Sequence, residues 1–102
     1  MIHIDHGVEK FIESLEKETI AKVLRSIDLL EAFGPKLSLP HSRNVAVNLY
    51  ELRIRGRQEV RIFYAFLKSN TFLLHGFIKK SQQMPRREFK VAWRKLRDLT
   101  GS

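Results

Sequence analysis

The sequence predicts an α+β fold in which two N-terminal helices, a small antiparallel β-sheet and a C-terminal helix share one core. Three observations carry this. Apolar residues recur at helical spacing through the first third of the 102-residue chain, alternate with charged residues through Tyr50 to Arg55, and return to helical spacing after Pro85.

Val8, Phe11, Ile12 and Leu15 form one helical set, and Ile20, Val23, Leu24, Ile27 and Leu30 form a second beyond the charged stretch Glu16 to Glu18. Two helices or one bent helix satisfy this spacing. Asp5 is placed to cap the first, because its carboxylate can accept from the unpaired N–H groups of an opening turn. Gly34-Pro35 ends the second, since glycine tolerates positive φ and proline cannot continue a helix. Lys36 to Asn44 lacks periodicity and is expected to be a loop crossing to the sheet.

Tyr50, Leu52 and Ile54 alternate with Glu51, Arg53 and Arg55, the pattern of a strand with one apolar and one charged face. Gly56-Arg57-Gln58 turns the chain. Val60 to Leu67 is apolar at nearly every position except Arg61, as befits a central strand covered on both faces. Lys68-Ser69-Asn70 turns again into a third strand, Thr71 to Lys79, so the expected sheet is a three-stranded meander. Ser81 to Met84 makes a polar connection, and Pro85 suits the first position of a closing helix. Phe89, Ala92, Trp93 and Leu96 form the buried stripe of that helix, while Arg86, Arg87, Lys90, Arg94 and Arg97 occupy its other side.

Register follows from the turn at 56 to 58, which sets Tyr50, Leu52 and Ile54 opposite Tyr64, Ile62 and Val60, and Arg53 opposite Arg61. A comparable register in the next hairpin adds His75, Phe77 and Lys79 to the arginine face. One sheet face is then a uniform core, and the other mixes cations with aromatics. Directly opposed like charges destabilise a sheet, so Arg53 and Arg61 require an acidic neighbour, Glu51 or Glu59, or a ligand anion.

Composition sets further bounds. With 43% hydrophobic and 29% charged residues, residues 1–102 are expected to form a single ordered domain. No apolar run approaches bilayer length and the N-terminal region is acidic, so no membrane association is expected and a cytoplasmic location is. The absence of cysteine excludes disulfides, thiolate zinc sites and a cysteine nucleophile. His3 and His6 lack a carboxylate pair at ligand spacing, and the glycines form no phosphate loop, so neither a metal nor a cofactor is expected. The net charge of +8 is uneven: residues 1–50 hold six basic and seven acidic residues, net −1, whereas residues 51–102 hold thirteen and four, net +9. That asymmetry suits a polyanionic partner, nucleic acid first, with an acidic protein surface or a solvated basic face as the alternatives.

Arg61 is the sharpest single residue, because a charge within an apolar strand costs much desolvation unless it is paired or borders water. Two readings stand: a salt bridge to Glu51 or Glu59, or a guanidinium fork that grips a phosphate. Lys79 and Lys80 adjoin the same surface, one facing the arginines and one at the rim. His75 is either a hydrogen-bonded histidine packed beside Phe63 and Phe77 or a member of an active surface.

The segments LYELRIRGRQEVRIFYAFL and LLHGFIKKSQQMPRREFKVAWRK resemble the phage-derived, HigB-type branch of the RelE/ParE toxin superfamily. In that branch a GLYELR-type strand, a VRIFY-type strand, an LHGFxKK strand end and a P-x-x-E-x-x-x-A helix occur in this order, and the match runs over roughly residues 8 to 98. The resemblance implies a RelE-like fold with an additional first strand, for which only Met1 to Ile4 are available here. A sheet edge left open by so short a strand is expected to be covered by a second copy or a partner.

It further implies the toxin of a type II toxin–antitoxin pair, partnered by a HigA-like helix-turn-helix antitoxin, that cleaves mRNA on the translating ribosome without a metal. On that basis Arg61 would stabilise the phosphorane, Arg53 position the substrate, and Lys79 or Lys80 transfer protons, with His75 as the alternative acid or base. Arg86, Arg87, Lys90, Arg94 and Arg97 would hold ribosomal RNA phosphates. Glu51 stands where RelE-type toxins carry a lysine, and Phe89 near their tyrosine. The competing class is therefore a binding module without catalysis, either a ParE-like inhibitor of DNA gyrase or a degenerate member that only binds its antitoxin.

Overall fold

The first third of the chain folds as two helices: the first ends at Glu13 and the second starts at Lys17, so the interruption at Ser14 to Glu16 falls where the first apolar set gives way to the charged stretch. A computed structural model describes residues 1–83 and 85–101; Met84, expected in the polar connection before the last helix, lies outside the described residues. Strand β1 (Ile2–Ile4) leads into α1 (His6–Glu13) through Asp5, whose carboxylate accepts the Gly7 N–H at 2.8 Å. Helix α2 (Lys17–Phe33) ends at Gly34, whose φ of 52° favours glycine, and a 3-10 turn follows at Gly34–Lys36. Ile20, Val23, Ile27 and Leu30 of α2 belong to the core, but Leu24, expected among them, is 52% exposed because it projects beyond the stripe facing the sheet.

Strands β2 (Ser42–Ala46), β3 (Leu49–Ile54), β4 (Val60–Leu67) and β5 (Asn70–Ile78) join β1 in a five-stranded sheet ordered β1-β5-β4-β3-β2. The expected meander is thus its centre, and two edge strands enlarge it. β1 lies parallel to β5, whereas the other pairings are antiparallel. β2 corrects the expectation of a loop through Asn44: Ser42, Arg43 and Asn44 pair with Leu52, Glu51 and Tyr50. Its polar residues carry no alternating apolar signal, and the strand exists because β3 offers it a ladder. Asn44 also donates to the Ala46 and Leu49 carbonyls at 2.9 and 3.2 Å, which shapes the bulge at Val45. β5 stops at Ile78, one residue earlier than expected, although the Lys79 N–H still donates to the Glu59 carbonyl at 2.7 Å.

The β3–β4 register matches the sequence expectation at every pair, including Arg53 opposite Arg61. In β5 a bulge at Leu74 separates the pair Phe63–His75 from Tyr64–Leu73. Leu74 and Phe72 consequently join the same core as Phe63 and Phe77, while Leu73 enters the opposite one. Helices α1 and α2 cover one sheet face over Leu52, Ile54, Val60, Ile62, Tyr64 and Leu73. Helix α3 (Arg86–Thr100) covers part of the other through Phe89, Ala92, Trp93 and Leu96. It begins at Arg86, with Pro85 as its N-cap rather than its first helical residue. None of the described helices is long and apolar enough to cross a membrane.

Two contacts tie these layers together. Gly76 lets the Phe11 ring lie directly on β5: a Cβ there would come within 2.6 Å of the ring. Gly76→Ala is expected to destabilise the fold by about 1–3 kcal/mol in chemical denaturation, because the ring must lift away from the sheet.

At the other contact, Lys95 of α3 donates to the Asp5 carboxylate at 2.9 Å. Partial burial raises the Asp5 pKa, but the hydrogen bond and charge of Lys95, with the Gly7 and Val8 N–H groups, outweigh it and hold the carboxyl below its ordinary 3.8. The stability this ionisation contributes is therefore present above the ordinary carboxylate range and is lost as pH falls through the lowered folded value. Asp5→Asn keeps an acceptor for the Gly7 N–H and removes the charge. Its stability deficit, measured by denaturation from neutral to acid pH, should shrink as the wild-type carboxylate becomes protonated.

Candidate functional site

Alternation along β3 turns Glu51 and Arg53 toward the face that carries α3, and pairing sets Arg43 of β2 opposite Glu51 and Arg61 of β4 opposite Arg53. Glu51, 2% exposed, lies within 3.5 Å of Arg43 Nη2, 3.8 Å of Arg53 Nε and 3.9 Å of Arg61 Nε. These contacts are electrostatic rather than hydrogen-bonded: Glu51 Oε1, Arg53 Nε and Arg61 Nε are buried without a hydrogen-bond partner. Arg61, 3% exposed, also donates from Nη1 to Glu59 Oε2 at 3.2 Å and to the Val60 carbonyl at 3.0 Å. Both carboxylates considered as its partners are therefore engaged. Glu51 is enclosed, whereas the Glu59 side chain is 34% exposed and can leave.

Beyond the part of the sheet covered by α3, a cleft of about 460 Å³ opens over this cluster. It gathers Arg53, Arg61, Lys79 and Lys80, four of the candidates expected from sequence, and adds Arg55. Glu59, Ser81 and Gln82 complete its lining. Glu59 is its only carboxylate among the described residues, with Oε1 3.8 Å from Arg55 Nε. The signal for Arg55 was its place in the alternation with Arg53. Ser81 and Gln82 carried no signal, because they reach the cleft only through the path of the chain after β5.

His75 does not line this cleft. Its Nε2 lies 2.7 Å from Glu88 Oε1 on α3, and its ring stacks on Phe77 at 6.2 Å between centroids. Arg86, Arg87, Lys90, Arg94 and Arg97 are exposed along α3, and none of them lines the cleft. The two tyrosines are also elsewhere: Tyr50 and Tyr64 stack at 5.4 Å in the core beneath α1 and α2, with the Tyr64 hydroxyl bonded to Ser42 Oγ. Burial, partly opposed by Ser42, pushes the Tyr64 phenol above its ordinary 10.0.

These features define a small basic α+β protein whose sheet carries an open cationic cleft beside its closing helix. The chain belongs to the family described as phage derived protein Gp49-like (DUF891), whose model matches residues 10–97 and so spans the chain from α1 to α3. No curated protein matches it.

The two counterions should differ in mutation. Removing Glu51 leaves Arg53 and Arg61 facing each other in a largely buried setting, and breaking such a pair costs about 3–5 kcal/mol. Removing Arg61 leaves Glu51 with two other guanidinium groups, at 3.5 and 3.8 Å. In chemical denaturation Glu51→Ala should therefore be the more destabilising of the two, and a larger loss for Arg61→Ala would contradict this account of the cluster.

Proposed function

We propose that the chain is the toxin of a type II toxin–antitoxin pair and cleaves mRNA on the translating ribosome. The observation that carries this reading is the convergence of Arg53, Arg55, Arg61, Lys79 and Lys80 on one cleft. Membership of the phage-derived Gp49-like family and the resemblance of the same strands to HigB-type toxins support it.

In the reaction the ribose 2′-OH gives up its proton to water and attacks the adjacent phosphate, the P–O5′ bond breaks, and a 2′,3′-cyclic phosphate and a 5′-hydroxyl result. Arg61 neutralises charge on the phosphorane, Arg53 positions it, and an ammonium group of Lys79 or Lys80 protonates the leaving oxygen. Before phosphate can use the Arg61 Nη1 group, Glu59 must give it up. The exposed cations of α3 bind ribosomal RNA phosphates, and a HigA-like antitoxin covers the cationic surface. His75, which the resemblance implies as the alternative acid or base, lies outside the cleft lining and is bonded to Glu88, and in this reading it is a positioning residue between β5 and α3.

A second reading is favoured by two observations: no tyrosine or histidine lines the cleft among the described residues, and Arg61 is already paired with carboxylates. That reading is a binding module that inhibits without cutting. Single-turnover cleavage on programmed ribosomes separates the two. Wild-type protein should cut bound mRNA, Arg61→Ala should lower the rate by about 10²–10³ while keeping its circular dichroism spectrum, and Lys79→Ala or Lys80→Ala should lower the rate at saturation more than the affinity. Growth arrest with mRNA left intact would favour the binding module.

A further inference from the structure

The cleft has a neighbour. A groove of about 340 Å³ runs between α2 and the end of β3, and Arg53 and Arg55 line both cavities. Lys22 and Arg25 of α2 give the groove two further cations, and none of the described residues that line it is acidic. Leu29, Pro40 and Ile54 add apolar surface, beside which His41 offers an exposed ring. Arg25 is exposed and has no ion-pair or hydrogen-bond partner among the described residues. Lys22 sits over Gly56 with Nζ 3.4 Å from the Arg55 carbonyl, so the wall common to both cavities is tied to α2.

We propose that this groove is a second nucleotide subsite, which holds the RNA strand as it leaves the cleft. The inference rests on the RNA reading of the cleft and extends it to the flanking nucleotides. The cleft carries a carboxylate that competes with the ligand anion, whereas the described residues of the groove include none, and its Lys22 and Arg25 are in no ion pair among the described residues, so these two cations meet a polyanion without first breaking an internal salt bridge. Lys22, Arg25 and Arg55 contact phosphate, which gives affinity without sequence preference. Leu29 and Pro40, with buried Ile54 behind them, receive the face of one base, with the His41 ring beside it. Because Arg53 and Arg55 belong to both cavities, a single strand passes from one to the other along shared cations.

The test compares a two-nucleotide and a six-nucleotide single-stranded RNA by fluorescence anisotropy across salt concentration, using wild type and Lys22→Ala/Arg25→Ala. Both substitutions lie on the surface side of α2, and circular dichroism checks that the variant is folded. The longer RNA should bind wild type more tightly. The double variant should lose roughly tenfold in affinity for the six-nucleotide RNA, with a salt slope lower by about 1.4, and keep its affinity for the dinucleotide. Equal binding of both lengths by wild type, no binding of either, or an unchanged length effect in the variant would overturn the subsite. An acidic hexapeptide that gains and loses affinity in the same way would overturn its assignment to RNA. The RNA reading of the cleft itself fails only if wild type also leaves mRNA uncut on programmed ribosomes.

Discussion

Antiparallel pairing of β3 with β4 brings Arg53 directly opposite Arg61, an arrangement whose repulsion is held in check by the Glu51 carboxylate packed beside both. At the 3.5–3.9 Å separations of this cluster, a unit charge pair in a protein of effective dielectric about 20 has a gross attraction of about 4 kcal/mol. Desolvation offsets much of that, so the cluster adds little net stability. What it provides is placement. Two guanidinium groups stay charged on a sheet face that would otherwise expel one of them, and they stand at the edge of solvent where an anion can reach them.

The rest of the architecture follows from how the two sheet faces are covered. Helices α1 and α2 cover one face mainly with apolar residues, and Gly76 permits the close approach of Phe11 to it. Helix α3 takes only the aromatic part of the other face, where Phe63 and Phe77 meet Phe89 and Trp93. It is anchored at one side by Lys95 on Asp5 and at another by Glu88 on His75. The uncovered remainder is the arginine cluster, and the chain leaving β5 brings Lys79 to Gln82 along its border. Of its two counterions, the enclosed Glu51 is structural, and the half-exposed Glu59 is the one a ligand can replace.

Much of this was legible before folding. The period-two pattern of Tyr50 to Ile54 and the length of the turn at 56 to 58 specify the β3–β4 register, and with it the meeting of Arg53 and Arg61. The helical spacing of residues 8 to 15 and 20 to 30 located the N-terminal helical segments without deciding between two helices and one bent helix, and Asp5 capped the first as its side chain allowed. The edge strands were less visible. Ser42 to Ala46 and Ile2 to Ile4 bury little, so no alternation marks them, and each is a strand only because β3 or β5 presents unpaired backbone groups. The bulge at Leu74 was equally silent, since a run as apolar as Phe72 to Leu74 fits either face.

The sequence by itself determined the order of the helical segments and the three central strands, the β3–β4 register and the concentration of positive charge in the second half, because each depends on local spacing or on a sum over residues. Only the tertiary structure decided which of the other side chains stand beside Arg53 and Arg61 and which stay away. The docking of α3 ties His75 to Glu88 and leaves the α3 arginines outside the cleft, while the chain after β5 brings Ser81 and Gln82 into it. Lys22 and Arg25 come to adjoin Arg53 and Arg55 across about thirty intervening residues because α2 packs along β3. Contacts between segments so far apart depend on how whole layers pack, and no local pattern in the chain encodes them.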